Sequence, residues 1–279
     1  MGEALGIPED KLRGLAVACY TAIADGIELA DNFCLRADPV SLVAASSRVF
    51  LMGPAGYQLN TNERERLQQS FNQQFAADGL QFIFPNKQRW YILLAPGVNA
   101  EELLPAPRSL LGENIAAAVS KLGKFWQQSF TEAQMLLHAD PIRQQHQSSG
   151  IPPLSGLWFW GGGYLDSSLA GLGSEVECFG SSSLLQGLAQ TTGAKWQQSV
   201  APGSANRQVI HWCAEQSGTA IEQLQELEKF IFQPLLKALT TGATLHLHSS
   251  DAGCWKIKKS IRWPWRSSTA LAAIDKRVR

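Results

Sequence analysis

The chain has 279 residues, of which 45% are hydrophobic and 17% are charged, which is typical of a folded protein with a sizeable core and excludes an extended disordered chain. Lysine and arginine together number 24, as do aspartate and glutamate. The balanced charge argues against a globally basic nucleic-acid-binding protein, although it leaves a local basic patch open.

The cysteines are scattered along the chain and form no C-x-x-C pair. They are Cys19, Cys34, Cys178, Cys213 and Cys254. An odd number without a paired spacing is typical of reduced thiols rather than of a disulfide framework or a zinc module. Residues 15–27 are apolar but too short to span a bilayer, and no other segment is long enough. We therefore expect a cytoplasmic protein with neither an export signal nor a membrane span.

The first third of the chain is predicted to combine helices with a sheet. Residues 1–30 are expected to form a leading helix. Residues 48–52 and 89–94 are predicted strands because they are short apolar runs rich in aromatic and β-branched residues. Between them, apolar residues at a spacing of four, preceded by a capping-box pair at Asn62 and Glu65, predict an amphipathic helix.

Polar, turn-rich residues at 138–153 mark the expected boundary between two lobes. With a further helix predicted over residues 116–137, residues 31–153 are expected to form an α+β lobe. In residues 154–279, short apolar runs alternate with glycine-rich turns and helix-sized intervals. This rhythm predicts a layered α/β lobe with a largely parallel sheet, closed by a C-terminal hairpin.

Three consecutive glycines follow the predicted strand at residues 156–160. Backbone N–H groups of Gly161, Gly162 and Gly163 could cradle a phosphate. The run is not a dinucleotide-binding fingerprint, because Asp166 stands where the third glycine of that motif belongs. A flexible turn after the strand is the alternative interpretation.

Two histidines on a predicted strand suggest a metal site. His246 and His248 are two residues apart, so their side chains point to the same side of the strand. Together with Asp251 they could hold a divalent metal, whereas a half-exposed strand face is the competing interpretation. His211, in a β-rich run, is interpreted as a hydrogen-bonded core histidine.

The segment 255–266 interleaves lysines and arginines with tryptophans. This pattern suits contact with nucleic-acid bases or with an anionic membrane surface. The alternative is an edge hairpin whose lysines discourage edge pairing while its tryptophans pack on the core. Because the net charge is zero, the second interpretation is favoured and a nucleic-acid partner is not expected.

Several segments match the motifs of one enzyme family. Residues 140–163 read D-P-I-R-Q-Q-H-Q-S-S-G-I-P-P-L-S-G-L-W-F-W-G-G-G, against the family's H-P-V-N-x-x-R-x-x-x-G-L-x-P-A-N-S-I-W-L-W-G-x-G. Residues 34–40 (C-L-R-A-D-P-V) and 200–204 (V-A-P-G-S) are similar to its A-F-R-x-N-x-V and V-P-G-A-T. Residues 208–213 resemble its metal-motif strand, with His211 at the first histidine. The chain thus resembles the archaeal-type cofactor-independent phosphoglycerate mutases, metal-dependent members of the alkaline phosphatase superfamily.

The resemblance covers roughly residues 30–250 and extends to proteobacterial phosphoglycerate mutase-like and RpfE-type regulatory proteins. It implies a bacterial α/β protein with a shrunken alkaline-phosphatase-like core and an α+β region like the family's substrate lobe.

Departures from the family's motifs decide what activity the resemblance implies. The family carries an aspartate–glycine metal motif and a serine or threonine nucleophile near its N-terminus, and we expect this chain to lack both, because it begins downstream of them. After His211, the aspartate and the second histidine of the metal motif are absent. In the boundary motif, the family's histidine, first asparagine, arginine and second asparagine are replaced by Asp140, Arg143, His146 and Ser155.

The family's substrate-side tyrosine–arginine–histidine run is replaced by residues 89–91, which read R-W-Y. Two-metal phosphoryl transfer needs ligands that hold the ions around a nucleophile. The resemblance, with these losses, implies a pseudoenzyme that needs no cofactor and acts as a ligand-binding or regulatory and interaction module.

If the ligand is a small phosphorylated or other anionic molecule, Arg36 and the Gly161–Gly163 turn are the leading candidates to bind it. Arg143 and His146 are secondary candidates, and a protein partner is the other expectation for such a module.

The alternative function is a metal-dependent phosphomutase or phosphatase with a rebuilt site that binds manganese or zinc. Its candidate ligands are His211, His246, His248 and Asp251.

Overall fold

The protein is a mixed α/β protein, as expected. The computed structural model describes residues 3–45, 48–54, 59–98, 100, 103–141, 153–198, 207–211, 225, 228–233, 235–236, 244–249 and 253–258. Of the sequence-derived candidates, Arg143, His146 and Asp251 lie outside the described residues, and so does most of the tryptophan-containing segment 255–266. No helix among the described residues is long and apolar enough to cross a bilayer.

The chain divides into two compact units. The first comprises residues 1–176 and 183–196, and the second comprises residues 177–182 and 197–279. This division differs from the boundary expected at residue 153. The physical reason is that the strand following residue 153 pairs within the sheet of the first unit, so the segment cannot separate from it.

A five-stranded antiparallel sheet forms the centre of the first unit. Its strands are β1 (Phe33–Ala45), β2 (Arg48–Pro54), β3 (Leu80–Ile83), β4 (Tyr91–Leu94) and β5 (Gly156–Gly163). Four of them follow the order β2-β1-β4-β3, and β5 pairs with β1 from Cys34 to Val40. The long strand β1 therefore contacts three neighbours, and it holds the sheet together.

The structure corrects the strand expectations in two ways. The strand expected to end at Trp160 continues through the glycines to Gly163. It also runs antiparallel to β1, whereas a largely parallel sheet was predicted for the second half of the chain. A parallel arrangement had been inferred only from the spacing of strands and helices, which does not determine the partner of a strand.

The described part of the first unit also contains α-helices. They are α1 (Glu9–Arg13), α2 (Val17–Ala24), α3 (Thr61–Gln74), α4 (Ala116–Val119), α5 (Lys124–Ala139) and α6 (Ser183–Thr192). The expected leading helix is two helices, because Gly14 ends α1 before α2 begins. The helix expected over residues 116–137 is likewise divided, since Gly123 takes an extended conformation as the N-cap of α5.

Helix α3 starts two residues earlier than the sequence suggested. Asn60, rather than Asn62, is its N-cap, and Asn60 and Glu63 form the reciprocal hydrogen bonds of a capping box. The buried side chains of Leu67 and Phe71 face the sheet, as the apolar spacing predicted.

The hydrophobic core of the first unit lies between the sheet and helices α3 and α5, and it is rich in aromatic rings. Trp126 and Phe130 of α5 contact Phe159 of β5 edge-on, with ring centroids 5.4 and 6.2 Å apart. This packing fixes the position of β5 against the helix.

The second unit contains parts of two sheets. Strand β6 (Val176–Gly180) neighbours β8 (Arg207–His211). Of strand β7 (Lys195–Gln197), only the last residue belongs to this unit. Strands β9 (Thr244–Ser249) and β10 (Gly253–Lys258) pair antiparallel as the expected C-terminal hairpin.

Candidate functional site

The centre of the sheet holds a buried group of polar and aromatic side chains, which we call the Arg36 centre. Its members are Thr21, Arg36, Asp38, Tyr91 and Trp160.

The β-sheet register places Arg36 between two aromatic residues. Arg36 is the cross-strand partner of Tyr91 on β4 and of Trp160 on β5. Residues directly opposite each other in adjacent strands have neighbouring side chains. The guanidinium carbon accordingly lies 5.4 Å from the centroid of each ring, within the range of cation–π attraction.

Asp38 neutralises this guanidinium. It lies two residues after Arg36 on β1 and therefore on the same face of the strand. Arg36 donates from Nε to Oδ1 of Asp38 at 2.7 Å, and its terminal nitrogen lies 2.5 Å from the same oxygen. The indole Nε1 of Trp160 donates to the other carboxylate oxygen at 2.7 Å. Both oxygens of one carboxylate are thus held by donors from two strands.

A helix residue binds the remaining side of the guanidinium. Arg36 donates to the hydroxyl of Thr21 at 3.3 Å, and that hydroxyl donates in turn to main-chain carbonyls of α2. The side chains of Arg36 and Asp38 are only 8% and 12% exposed. Trp160 is the one member of the centre that is not fully buried.

Burial raises the pKa of Asp38. Desolvation raises the pKa of the Asp38 carboxyl above its ordinary value, and the attraction of Arg36 and the hydrogen bond from Trp160 only partly oppose it. The charged form of Asp38 therefore remains costly, even though its hydrogen bonds are complete.

A second ion pair lies beside the Arg36 centre. Arg89 binds Asp25 through two nitrogens at 2.8 and 2.5 Å, and the hydroxyl of Tyr91 donates to Asp25 at 2.6 Å. Burial acts to raise the pKa of Asp25, but the bonds from Arg89 and Tyr91 outweigh it, so the pKa falls below its ordinary value. Tyr91 thus joins the two ion pairs, with its ring at Arg36 and its hydroxyl at Asp25.

The glycine run expected to cradle a phosphate is closely packed against side chains. A Cβ on Gly162 would lie 2.7 Å from a ring carbon of Phe33, and one on Gly163 would lie 2.5 Å from the Cβ of Ala16. Gly161 has a φ of +64°, which favours glycine. Packing and backbone conformation therefore account for all three glycines.

The described candidate metal ligands are divided between strands β8 and β9. His246 and His248 share strand β9, where they are opposite Lys256 and Cys254, and the side chain of His246 is exposed. His211 ends strand β8. Among the residues that the structure describes, no three His, Cys, Asp or Glu side chains form a group able to hold a metal ion.

Sequence reasoning selected Arg36 as a candidate ligand-binding residue but did not predict its surroundings. The order R-A-D at residues 36–38, on a strand, was a usable signal that Asp38 shares a face with Arg36. No local signal indicated that Tyr91 and Trp160 would flank the guanidinium, because both contacts depend on strand register.

Comparisons with known proteins give only distant similarities. No protein-family model matches the sequence, and no curated protein is significantly similar to it. Among solved structures, the chain is similar to the cofactor-independent phosphoglycerate mutase from Thermoplasma acidophilum DSM 1728, with a TM-score of 0.42 and 11% identity over 91% of this chain and 73% of that one. It is also similar to the PH0037 protein from Pyrococcus horikoshii, with a TM-score of 0.39 and 14% identity over 65% of this chain and 42% of that one.

Proposed function

We propose that this chain is a non-catalytic, phosphoglycerate mutase-like binding module that takes a small phosphorylated or carboxylate-bearing ligand at the Arg36 centre. One observation carries the proposal: donors of Arg36 and Trp160 converge on the two oxygens of a single carboxylate. Arginine binds carboxylate and phosphate with the same forked geometry, so the donors that hold Asp38 suit an anionic ligand equally well.

Asp38 acts in this proposal as an internal occupant that a ligand displaces. Burial raises the pKa of Asp38, so its charged form binds Arg36 against a desolvation cost. A phosphate group carries more charge than one carboxylate and competes for the same donors. Trp160 is the only member of the centre that is not buried, so we expect an entering ligand to meet it first.

The charged groups of the centre and of the neighbouring ion pair are bound to one another, which favours binding over catalysis. Arg36 is matched by Asp38 and Arg89 by Asp25, and the hydroxyl of Tyr91 is also bound to Asp25. The metal motif of the resembling family is incomplete after His211 in this sequence. We therefore propose recognition of an anion without phosphoryl transfer.

Thermal and chemical unfolding in the presence of ligands tests the proposal. The full-length protein is titrated with inorganic phosphate, 2-phosphoglycerate and 3-phosphoglycerate, each with and without manganese. We expect at least one of them to raise the free energy of unfolding without manganese, by about 2.7 kcal/mol at a hundredfold excess over its dissociation constant.

Two variants locate the effect. Arg36→Lys keeps a positive charge but loses the forked N–H donors of the guanidinium, and Arg36→Met loses both the charge and the donors. The ligand-induced rise in the free energy of unfolding should therefore weaken in the first variant and disappear in the second. Arg13→Met, which changes an arginine of an exposed ion pair, is the control. A shift that survives Arg36→Met would contradict the proposal, and a shift that requires manganese would favour the metal-dependent enzyme instead.

Removing Asp38 provides a complementary test. Asp38→Ala leaves Arg36 buried without its carboxylate, and we expect a loss of about 3–5 kcal/mol in stability. Added acetate or phosphate should restore part of this loss, whereas the same ionic strength of chloride should restore less. Glu9→Ala, in the exposed pair with Arg13, should show neither effect. Equal recovery with all three salts would count against an anion site at Arg36.

A further inference from the structure

Two free cysteines lie close together where helix α2 packs against strand β1. Cys19 is on α2 and Cys34 is on β1, and both are completely buried thiols. The thiol of Cys19 donates to the carbonyl oxygen of Gly163 at 3.2 Å, and Gly163 is the cross-strand partner of Cys34. The helix therefore places one sulfur directly beside the strand position that carries the other.

The two thiols also interact with each other, and they do so unequally. The hydrogen bond from Cys34 is the largest of the effects that lower the pKa of Cys19, and the same bond, together with burial, raises the pKa of Cys34. A thiolate is the reactive form of cysteine, so Cys19 is suited to attack an oxidant while Cys34 retains its proton.

We propose that Cys19 and Cys34 form an oxidation site, at which hydrogen peroxide converts the two thiols to a disulfide that joins α2 to β1. The sulfur of Cys19 attacks one peroxide oxygen and the O–O bond breaks, which gives a sulfenic acid on Cys19 and releases one water. The sulfur of Cys34 then attacks that of Cys19, and the hydroxyl leaves with the proton of Cys34 as a second water. Two thiols and one peroxide thus give one disulfide and two waters.

Local opening of α2 admits the oxidant. This helix has eight residues, and its N-cap, Ala16, provides no side-chain hydrogen bond. A helix this short is not stable by itself and depends on tertiary packing, so brief detachment exposes the pair. Because α2 carries Thr21 and has Asp25 as its C-cap, the disulfide fixes a helix whose residues bind both Arg36 and Arg89.

Peptide mapping of the oxidised protein tests the proposal. The full-length protein is treated with a small excess of hydrogen peroxide, alkylated, digested without reductant and analysed by mass spectrometry. We expect a linked peptide pair containing Cys19 and Cys34, which dithiothreitol separates again. The absence of this pair, or its formation no faster than disulfides that involve other cysteines, would overturn the proposal.

Single variants separate the role of Cys19, which attacks peroxide, from that of Cys34, which attacks the sulfenic acid. In Cys34→Ser the reaction should stop at the sulfenic acid of Cys19, which dimedone labels. Cys178→Ser is the matched control, because Cys178 is also a buried free thiol, with a pKa raised to about 11 by burial, and its variant should form the disulfide normally. Loss of the disulfide in Cys178→Ser would overturn the assignment. The mapping of the unmodified chain decides the question even where a variant folds poorly.

Discussion

The two arginine–carboxylate pairs differ in burial and in the pKa of the carboxyl group, although both contact Tyr91. The side chain of Arg89 is 27% exposed, whereas that of Arg36 is only 8% exposed. Asp25 receives three hydrogen bonds from Arg89 and Tyr91, and its pKa is lowered, while desolvation dominates at Asp38 and raises the pKa. Asp25 therefore stabilises the fold as an anion, and Asp38 is the partner that another anion replaces more easily.

The lowered pKa of Asp25 leads to a prediction for acid stability. An ordinary aspartate has a pKa of 3.8, and the folded value for Asp25 lies below it, so between the two the unfolded chain binds more protons. The stabilisation by Asp25 is thus complete above the unfolded pKa and is lost as the pH falls through the folded pKa. In Asp25→Asn, we expect the free energy of unfolding to decrease less between about pH 4 and pH 2 than in the unmodified chain.

Urea denaturation at a series of pH values measures this difference, with Glu9→Gln as the exposed control. At neutral pH, Asp25→Asn should cost about 1–3 kcal/mol, because Arg89 and Tyr91 lose their charged acceptor. Asp38 contributes with the opposite sign, so the comparison between variant and parent, rather than the absolute slope, is the informative quantity. Identical acid dependence in both chains would show that Asp25 is not stabilised as an anion.

At the scale of elements, α2 depends on packing against its neighbours. Its backbone approaches α6 so closely that a Cβ on Gly187 would overlap the carbonyl oxygen of Tyr20. Close contact of this kind requires glycine at the crossing point, because neither backbone can yield without disturbing its own helix. Helix α2 carries Thr21 of the Arg36 centre and Cys19 of the cysteine pair. The contact between α2 and α6 therefore holds both groups in place.

We predict that Gly187→Ala destabilises the protein by about 3 kcal/mol or more, at the upper end of the cost of overpacking. Gly14→Ala is the matched control, because a Cβ at that position meets no atom within 4 Å, and its effect should stay below about 1 kcal/mol. Denaturant unfolding of the two variants provides the measurement. Similar stabilities would show that the two helices separate without loss to the fold.

At the scale of the whole molecule, the Arg36 centre and the cysteine pair belong to one unit. Every member of the Arg36 centre and both Cys19 and Cys34 lie in the first unit, which has its own aromatic core around Trp126 and Phe159. A unit that has its own hydrophobic core could in principle fold alone.

We therefore predict that a chain ending at Trp196 retains the fold of the first unit and its response to anions. Near-ultraviolet circular dichroism reports on the buried tryptophans, and the phosphate titration reports on the Arg36 centre. We expect both signals to persist and the truncated chain to unfold cooperatively. An expanded chain without these signals would show that residues 197–279 are required for the first unit to fold.

The sequence by itself determined the features that depend on residues near one another in the chain. Apolar spacing placed Leu67 and Phe71 on the buried face of one helix. The order R-A-D at residues 36–38 could have paired Arg36 with Asp38 in the same way, but no strand was predicted there. Even local signals leave a choice, since Asn60 with Glu63 and Asn62 with Glu65 both have capping-box spacing. The first pair forms the cap, with Leu59 buried immediately before it.

Only the tertiary structure decided what surrounds Arg36 and why the glycines are needed. Trp160 meets Asp38 across 122 positions of the chain, and Cys19 meets Gly163 across 144. Such contacts follow from strand partner and register, which many distant residues determine together, and no local periodicity encodes them. For the same reason, a glycine run that suggested an open turn became a strand packed against Phe33 and Ala16.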